Sequence, residues 1–441
     1  MKFLLPTIQQ AFPSAISYEP LASPIVQANA EGQLVSVSFE NVDTPTKTCF
    51  VKTVDAHQYN EKKSWPDLRR TLMYLRTEVR FYEEILPDLL SAMGGEGKGV
   101  STPEIFAAGY DLDGLLTEEE RATDDPTKGP LNINWSTSCS SDNTNDVQQK
   151  KGGYIVMEAI SDTDYMQDSP ITIPQAKEAL ETIASFHASA WENKSLLEKA
   201  QDRLSKGSYH LKTRNPKEVA GLPDAWSHFS KAFGIEDDGE GNLGKRIQDL
   251  ADYICEETSP GPTEKYATLS HGDCKAMNCF LPIHKEGQTN DGPASRGAIL
   301  VDFASTGVGL GMSDVAMLIN HAVRPEHLEN GGEAMLIDHY LDVLNKKLSL
   351  SKKTQASDAG DGTEPLYPRD IALWHYKLAA ADYFRFFLGR FWKTATPETF
   401  EKKKHSKNTA LINRDRDAAI RFLGRAKTFV SEIEIRRGKS V

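Results

Sequence analysis

Two segments near the N-terminus carry the hydrophobic pattern of neighbouring β-strands. Residues 34–39 alternate apolar and polar side chains, as a half-buried strand does. Residues 49–54 are rich in β-branched and aromatic side chains, and residues 41–46 between the two segments are turn-forming. The pattern therefore predicts an antiparallel β-hairpin.

An amphipathic helix is predicted next, over residues 67–86. Apolar residues recur there at intervals of three and four, at Leu68, Leu72, Leu75, Val79, Tyr82 and Leu86. Glu78 borders this stripe, whereas Glu83 and Glu84 lie further from its centre. Pro87 is expected to end the helix. A carboxylate at position 78 would then be within reach of the predicted hairpin.

Three polar stretches separate the later apolar segments. Residues 111–153, 284–297 and 349–365 read as insertions or loops, and the first is expected to be partly disordered. Residues 174–191 predict a helix that includes His187, and the aromatic-rich residues 371–392 predict a buried helix. Part of the latter helix could instead form one wall of a ligand pocket, with Asp382, Arg385 or Arg390 as polar contacts.

The most specific segment of the chain is polar. It reads His271-Gly272-Asp273-Cys274-Lys275-Ala276-Met277-Asn278, and Asp302-Phe303 follows downstream. Either motif alone occurs by chance in many proteins, but their order and spacing together are specific. The β-prone residues 279–283 and 298–301 flank a turn-rich stretch and predict a second hairpin. That hairpin would bring Asn278 and Asp302 together, as two ligands of one metal require.

This combination predicts phosphoryl transfer from ATP. The reaction needs a carboxylate to orient the attacking hydroxyl, and oxygen ligands to hold Mg²⁺ against the nucleotide phosphates. Asp273 meets the first need, and Asn278 with Asp302 meets the second. Lys275 either neutralises charge on the transferred phosphate or is a solvent-facing loop lysine.

Candidate nucleotide-binding residues precede this motif. Lys52 is the candidate for the α- and β-phosphates with Glu78 as its partner, unless it is a solvated strand lysine. Gly32 stands where a glycine-rich phosphate loop would lie, although it is a single glycine. The strand that ends in Glu158-Ala159-Ile160 suits a connection that binds adenine through its backbone, the alternative being an ordinary core strand.

Together these segments resemble the aminoglycoside phosphotransferase and choline kinase superfamily, and within it the ecdysteroid-kinase-like (CHK-kinase-like) group. The resemblance covers about residues 32–316. It rests on Glu78-Val79-Arg80-Phe81-Tyr82, Val156-Met157-Glu158, Phe186-His187-Ala188-Ser189-Ala190-Trp191, His271-Gly272-Asp273 with Asn278, Asp302-Phe303, and residues 309–316. It implies that ATP and Mg²⁺ are the cofactors and that a small-molecule alcohol is phosphorylated. By position it makes Asp273 the catalytic base.

The resemblance also implies an α+β, two-lobed protein-kinase-like fold. The N-lobe would be residues 1–157, with an antiparallel sheet, one main helix and a polar insertion near 111–153. The C-lobe would be residues 158–441, larger and mostly helical. Two departures from the family pattern are Ala304, where members often have glutamine, and the degenerate phosphate loop. These support the alternative of a catalytically inactive kinase-like module that binds a nucleotide or another ligand.

The sequence disfavours a protein kinase. Position 272 is glycine, whereas many protein kinases have there an arginine that docks a phosphorylated activation loop. Only a short, glycine-studded link joins Asp302 to Asp314, and no A-P-E sequence follows it. Asp314 is expected to anchor that link by accepting hydrogen bonds, and His187 is expected to be a buried structural residue.

Composition limits the partners and the compartment. A net charge of −12 argues against nucleic acid and anionic membranes as partners. The 5 cysteines are scattered without a C-x-x-C pair, so neither a disulfide framework nor a zinc site is expected, and a cytoplasmic location fits best. The identity of the acceptor and the oligomeric state stay open.

Overall fold

In the computed structural model the described residues are 4–26, 29–41, 43–92, 100–118, 120, 151–206, 217–236, 241–284, 296–355 and 365–439. The chain divides into two compact units. The first unit contains residues 1–87, 102–161 and 203–205, and the second contains residues 88–101, 162–202 and 206–441. The predicted lobes, residues 1–157 and 158–441, stay a prediction.

A six-stranded antiparallel sheet forms the body of the first unit. Its strands are β1 (Ala15–Pro20), β2 (Ile25–Val26), β3 (Glu31–Phe39), β4 (Lys47–Asp55), β5 (Ile105–Asp111) and β6 (Gly152–Glu158). They lie in the order β1-β3-β4-β6-β5, with β2 paired to β3. The predicted first hairpin is confirmed, since Val37 of β3 pairs with Lys47 of β4. Apolar side chains of the helix α1 (Leu4–Ala11) join the core of this sheet.

The main helix of the first unit differs from its prediction at the C-terminal end. After the short helix α2 (Ala56–Asn60), helix α3 (Trp65–Arg80) begins with a proline in its first turn, where no amide hydrogen is needed. A π-helical turn (Phe81–Ile85) and helix α4 (Leu86–Ala92) follow without a break. The expectation that Pro87 ends the helix was wrong. The wider π turn, in which the Leu86 amide donates to the Phe81 carbonyl, lets the proline start a new helical turn.

The second unit is mostly helical. Its short strands are β7 (Tyr165–Met166), β9 (Ala267–Ser270), β10 (Cys279–Pro282), β11 (Ile299–Leu300) and β12 (Gly307–Leu310), and β8 (Ser205–Lys206) spans the boundary of the units. The helices are α5 (Ile173–Ala190), α6 (Lys194–Arg203), α7 (Lys217–Ala220), α8 (Leu222–Phe233), α9 (Leu243–Glu257), α10 (Gly311–Ala322), α11 (Pro325–Leu328), α12 (Gly332–Gln355), α13 (Arg369–Arg390), α14 (Pro397–Lys403) and α15 (Arg416–Lys439). The predicted α+β fold, with an antiparallel N-terminal sheet and a helical C-terminal part, is confirmed.

Helix α13 lies at the centre of the helical unit, which explains its aromatic composition. It packs against α8, α9, α10 and α15, so apolar side chains are buried on all of its faces. Beyond its end, the Trp392 ring stacks on Phe229 of α8 with ring centroids 4.2 Å apart. The predicted buried helix over residues 371–392 is therefore confirmed.

Parts of the predicted polar stretches lie outside the described residues, namely 121–150, 285–295 and 356–364. Residues 111–118, which were assigned to the insertion, have a defined conformation and begin with the last residue of β5. Among the helices that the structure describes, none is both long and apolar enough to cross a membrane.

Candidate active site

The structure brings Lys52 and Glu78 together in the first unit. Lys52 lies in β4, opposite Gly32 of β3 and Ile155 of β6. Its Nζ donates a hydrogen bond of 2.6 Å to Oε2 of Glu78 on α3. The Glu78 side chain is only 1% exposed, so this ion pair is largely shielded from water. The ion pair therefore holds the Lys52 ammonium group in one position beside the sheet.

The two other predicted nucleotide-binding segments lie at the strands beside Lys52. Gly32 is part of β3 itself and not of a loop, and a Cβ atom at this position would clash with the Phe50 ring. Glu158 ends β6, where its amide donates to the Glu104 carbonyl at 2.8 Å. That amide is therefore engaged in this arrangement, and Ala159 and Ile160 follow it outside the sheet.

The catalytic-loop motif forms a tight polar cluster in the second unit. Asp273 follows β9, and its Oδ2 accepts hydrogen bonds from Lys275 Nζ at 2.8 Å and from Asn278 Nδ2 at 3.2 Å. The same Asn278 nitrogen also donates to the Asp273 carbonyl at 2.9 Å. Lys275 and Asn278 thus fix the orientation of the Asp273 carboxylate, whose side chain is 19% exposed.

The predicted second hairpin is confirmed, and it places Asp302 beside Asn278. Cys279 of β10 pairs with Leu300 of β11, and the Val301 amide donates to the Asn278 carbonyl at 3.0 Å. Asp302 comes next, with a positive φ of 66°. Such a conformation is uncommon for a residue other than glycine and is concentrated at functional sites.

These two residues fit a magnesium ion bound together with a nucleotide. Because the Asn278 nitrogen donates to Asp273, the amide oxygen of Asn278 is the atom that suits a metal. Mg²⁺ in nucleotide sites usually takes only one or two protein oxygens beside phosphate oxygens. Within the described ranges, no three His, Cys, Asp or Glu side chains form a group that could hold a metal by themselves.

Asp314 holds the loop that leads to Asp273. Its fully buried carboxylate accepts hydrogen bonds from the His271 amide at 2.6 Å and the Gly272 amide at 3.0 Å. His187 of α5, also fully buried, lies with Nε2 3.0 Å from the same carboxylate. Burial raises the pKa of Asp314, but the hydrogen bond and charge of His187, the charge of His271 and the hydrogen bond from the Gly272 amide together outweigh it, so the pKa lies below its ordinary value.

Asp314 was expected to accept hydrogen bonds from the link after Asp302-Phe303. It does accept hydrogen bonds, but from a different segment, so the expected partner was wrong. The carboxylate holds the two residues that precede Asp273, because α10 begins directly after β12, which pairs with β9. The expectation that His187 is buried is confirmed, and its structural role stays a prediction that its contacts with Asp314 and with the Tyr340 hydroxyl, 2.8 Å from its Nδ1, support.

Other residues that support the loop were missed in the sequence. Thr306 Oγ1 donates to the His271 carbonyl at 3.2 Å, and Gln167 Nε2 donates to the Met277 carbonyl at 2.6 Å. Gly272 adopts a φ of 81°, so glycine suits this position for its backbone alone. Neither a lone threonine nor a lone glutamine carries a sequence signal, since their partners are distant in the chain.

Helices α10 and α13 carry buried titratable groups, two of which feel the charges of the cluster. His321 of α10 has its pKa lowered to about 3, first by burial and then by the charge of Lys275. Burial, and then the Asp273 charge, raises the pKa of Tyr383 on α13. Arg385 of α13 forms a buried pair with Asp382 at 2.8 Å.

The mainly helical C-terminal part, the antiparallel N-terminal sheet and the Asp273 cluster agree with the kinase-like fold predicted from the sequence. The sequence profile of the ecdysteroid kinase-like family matches residues 33–353. Because this is most of the chain, the protein belongs to the ecdysteroid kinase-like family, and the predicted resemblance is confirmed. No protein of curated function matches the chain.

Solved structures show a distant likeness. A choline kinase from Streptococcus pneumoniae is 10% identical, with 98% of each chain covered and a TM-score of 0.40. An amicoumacin kinase in complex with AMP-PNP and Ca²⁺ is 10% identical, with 98% of this chain and 94% of that chain covered and a TM-score of 0.40. An aminoglycoside phosphotransferase from Streptomyces rimosus, in complex with ADP and streptomycin, is 10% identical, with 79% and 95% covered and a TM-score of 0.33. The family assignment rests on the profile match.

Proposed function

We propose that this protein transfers the γ-phosphoryl group of ATP to a hydroxyl group of a small-molecule alcohol. The observation that carries the proposal is the fixed Asp273 carboxylate, oriented by Lys275 and Asn278 in a loop that the buried Asp314 holds. Membership of the ecdysteroid kinase-like family supports the same chemistry.

Asp273 is the proposed catalytic base. Its Oδ2 accepts from Lys275 and Asn278, which leaves Oδ1 to accept the hydrogen of the acceptor hydroxyl. As the hydroxyl oxygen forms its bond to the γ-phosphorus, the bond from that phosphorus to the bridging oxygen of ADP breaks, and the hydroxyl proton passes to Asp273. Lys275, whose ammonium group bonds to Asp273 at 2.8 Å, is proposed to compensate the charge of the phosphoryl group being transferred.

The first unit is proposed to supply the residues that bind the nucleotide. Lys52, held by Glu78, would bind the α- and β-phosphates, and the backbone around Gly32 would approach them. The segment Glu158-Ala159-Ile160 would contact adenine, and the engaged amide of Glu158 directs this role to the two residues that follow it.

Asn278 and Asp302 are the proposed protein ligands of Mg²⁺. Bound there, Mg²⁺ would neutralise negative charge on the nucleotide phosphates. The hydrogen bond between the Val301 amide and the Asn278 carbonyl keeps the two ligand residues at the same end of the hairpin. The amide orientation of Asn278 is set by Asp273, so the base and the metal ligand are positioned by one shared contact.

A cytoplasmic location is proposed from the cysteines. Among the described residues, Cys49, Cys255, Cys274 and Cys279 are buried free thiols. Burial raises the pKa of Cys49 to about 11, so this thiol stays protonated. Buried, protonated thiols suit a reducing compartment.

The proposal is tested by incubating the protein with Mg²⁺, ATP labelled in its γ-phosphate and a broad mixture of hydroxylated metabolites. A labelled small-molecule product is the expected result. If ATP neither transfers its phosphate nor raises the melting temperature, the protein is instead a binding module without kinase activity. ATP hydrolysis or binding without a product would direct the search to further acceptors, with alcohols tested in separate pools.

A further inference from the structure

Three buried arginines lie along one side of helix α3. Arg69, Arg76 and Arg80 are 1%, 3% and 2% exposed. Because successive helical residues are rotated by about 100°, positions seven and four apart fall on one narrow stripe. Glu78 is two residues from both Arg76 and Arg80, so it lies roughly opposite this stripe on the same helix.

A segment with acidic side chains covers the arginine stripe. We call residues 112–118 together with Glu120 the acidic strap. Glu120 pairs with Arg69 at 3.2 Å, and Glu118 pairs with Arg80. Arg76 donates to the Thr117 carbonyl at 2.6 Å and also to the Glu120 carbonyl. Each of the three arginines therefore bonds to at least one residue of the strap.

The acidic strap has its own anchor in the first unit. Leu112, Leu115 and Leu116 are buried, and the amides of the latter two donate to the Leu112 carbonyl at 2.9 and 3.0 Å. The Thr117 amide donates to Glu120 Oε2 at 2.6 Å, which closes a turn at the acidic end. The strap is therefore a built element and not a chain segment that happens to lie on the helix.

Because the three guanidinium groups are buried, their separation from the strap would be costly in free energy. Burial is the main cause that lowers the pKa of Arg76, to about 10, and the neighbouring Arg80 lowers it further. A buried charge that loses its partners destabilises a protein strongly. Rotation of α3 away from the strap would separate all three arginines from their partners on the strap, so the strap favours one rotation of the helix.

That rotation decides whether Glu78 reaches Lys52. Helix side chains extend to about 5–6 Å from the helix axis. A rotation of about 20° would therefore move the Glu78 carboxylate by about 2 Å, which is enough to break the 2.6 Å bond to Lys52. One side of α3 therefore bonds to the strap through its arginines, and the opposite side bonds to Lys52 through Glu78.

We propose that the acidic strap fixes the rotation of α3 and so positions Glu78 against Lys52 for ATP binding. The expected effect on ATP binding rests on the proposed function. The link from the strap to Lys52 does not, because all of its residues belong to the first unit. Glu118, Glu120 and Arg76 are positioning residues, since they act through Glu78.

The first test measures Lys52 without any nucleotide. The rate at which an amine reagent acylates Lys52, followed by mass spectrometry, should rise about threefold or more in E118A and E120Q, as it should in E78Q. D111N is the matched control, because the Asp111 carboxylate in the same unit bonds to Lys151 at 2.6 Å and to the Asp113 amide, and not to an arginine of α3. In E118A the Arg80 side chain keeps its hydrogen bonds to the Tyr110 hydroxyl and the Arg203 carbonyl, so this variant is expected to stay folded with a lower melting temperature. Unchanged Lys52 reactivity in folded E118A and E120Q would overturn the inference.

The second test measures the ATP dissociation constant by calorimetry. It should rise about five- to tenfold in E118A/E120Q, and by a factor below two in D111N. In an E78Q background the strap substitutions should add nothing, because they act through that residue. Additive effects would overturn the inference. A wild-type protein that fails to bind ATP, while its Lys52 reactivity still responds to the strap, would overturn the proposed function and leave the inference standing.

Discussion

The carboxylate of Asp314 offers a sharp test of how the catalytic loop is held. Replacing Asp314 with asparagine keeps the shape of the side chain but removes its charge and one acceptor oxygen. In the native protein Oδ1 accepts from the Gly272 amide, and Oδ2 accepts from the His271 amide and lies beside His187 Nε2. An amide group in either orientation therefore places an NH₂ against at least one backbone N–H.

The magnitude follows from these contacts. A hydrogen bond to a charged group contributes about 1.5–3 kcal/mol, and a buried donor left without a partner costs about 1–3 kcal/mol. The free energy of unfolding of D314N should therefore fall by about 3–5 kcal/mol. Turnover should fall as well, because Gly272 directly precedes Asp273 in the chain.

Urea denaturation followed by circular dichroism measures the first effect, and phosphate transfer measures the second. D338N is the matched control, since Asp338 is 42% exposed and forms a surface pair of 2.6 Å with Arg369. Its loss should cost less than about 1 kcal/mol. If D314N and D338N are equally stable, or if D314N keeps full turnover, the loop is not held in the way described.

Two further predictions concern buried charge in the helical unit. Unfolded histidine takes up a proton below about pH 6.5, whereas the folded His321 does so only near its pKa of about 3. The contribution of the neutral His321 side chain to the free energy of unfolding is therefore complete above pH 6.5, and it falls by about 1.4 kcal/mol per pH unit below that. In urea titrations from pH 7 to pH 5, the free energy of unfolding of H321Q should fall less steeply than that of the wild type. R385A should lose about 3–5 kcal/mol because Asp382 would stay buried without its partner, whereas R390A, which breaks an exposed contact with Glu218, should lose less than about 1 kcal/mol. Equal losses in R385A and R390A would contradict this account, and an unchanged acceptor KM in both would exclude these arginines from the acceptor pocket.

Local patterns in the sequence were sufficient for the elements whose partners are near in the chain. The β3–β4 hairpin follows from alternation and a turn, and the β10–β11 hairpin follows from two apolar runs around polar residues. The spacing from Asp273 to Asn278 predicted a shared site, and the structure joins the two side chains by a hydrogen bond of 3.2 Å.

What the sequence did not reveal depends on partners that are distant in the chain. Asp314 bonds to amides more than forty residues away, and a backbone amide carries no side-chain signal. The acidic strap was assigned to a polar insertion, because its pairing with arginines on α3 is visible only once both segments are folded. The π turn before Pro87 was also missed, since it depends on the packing of the helix that follows.

The most direct measurement compares wild-type protein with D273N for ATP binding and phosphate transfer. If Asp273 is the base, D273N should bind ATP within about threefold of the wild type while turnover falls by about 10²–10⁴. The melting temperature serves as the control for folding. A D273N protein that binds ATP, stays folded and transfers phosphate at the wild-type rate would contradict the central claim.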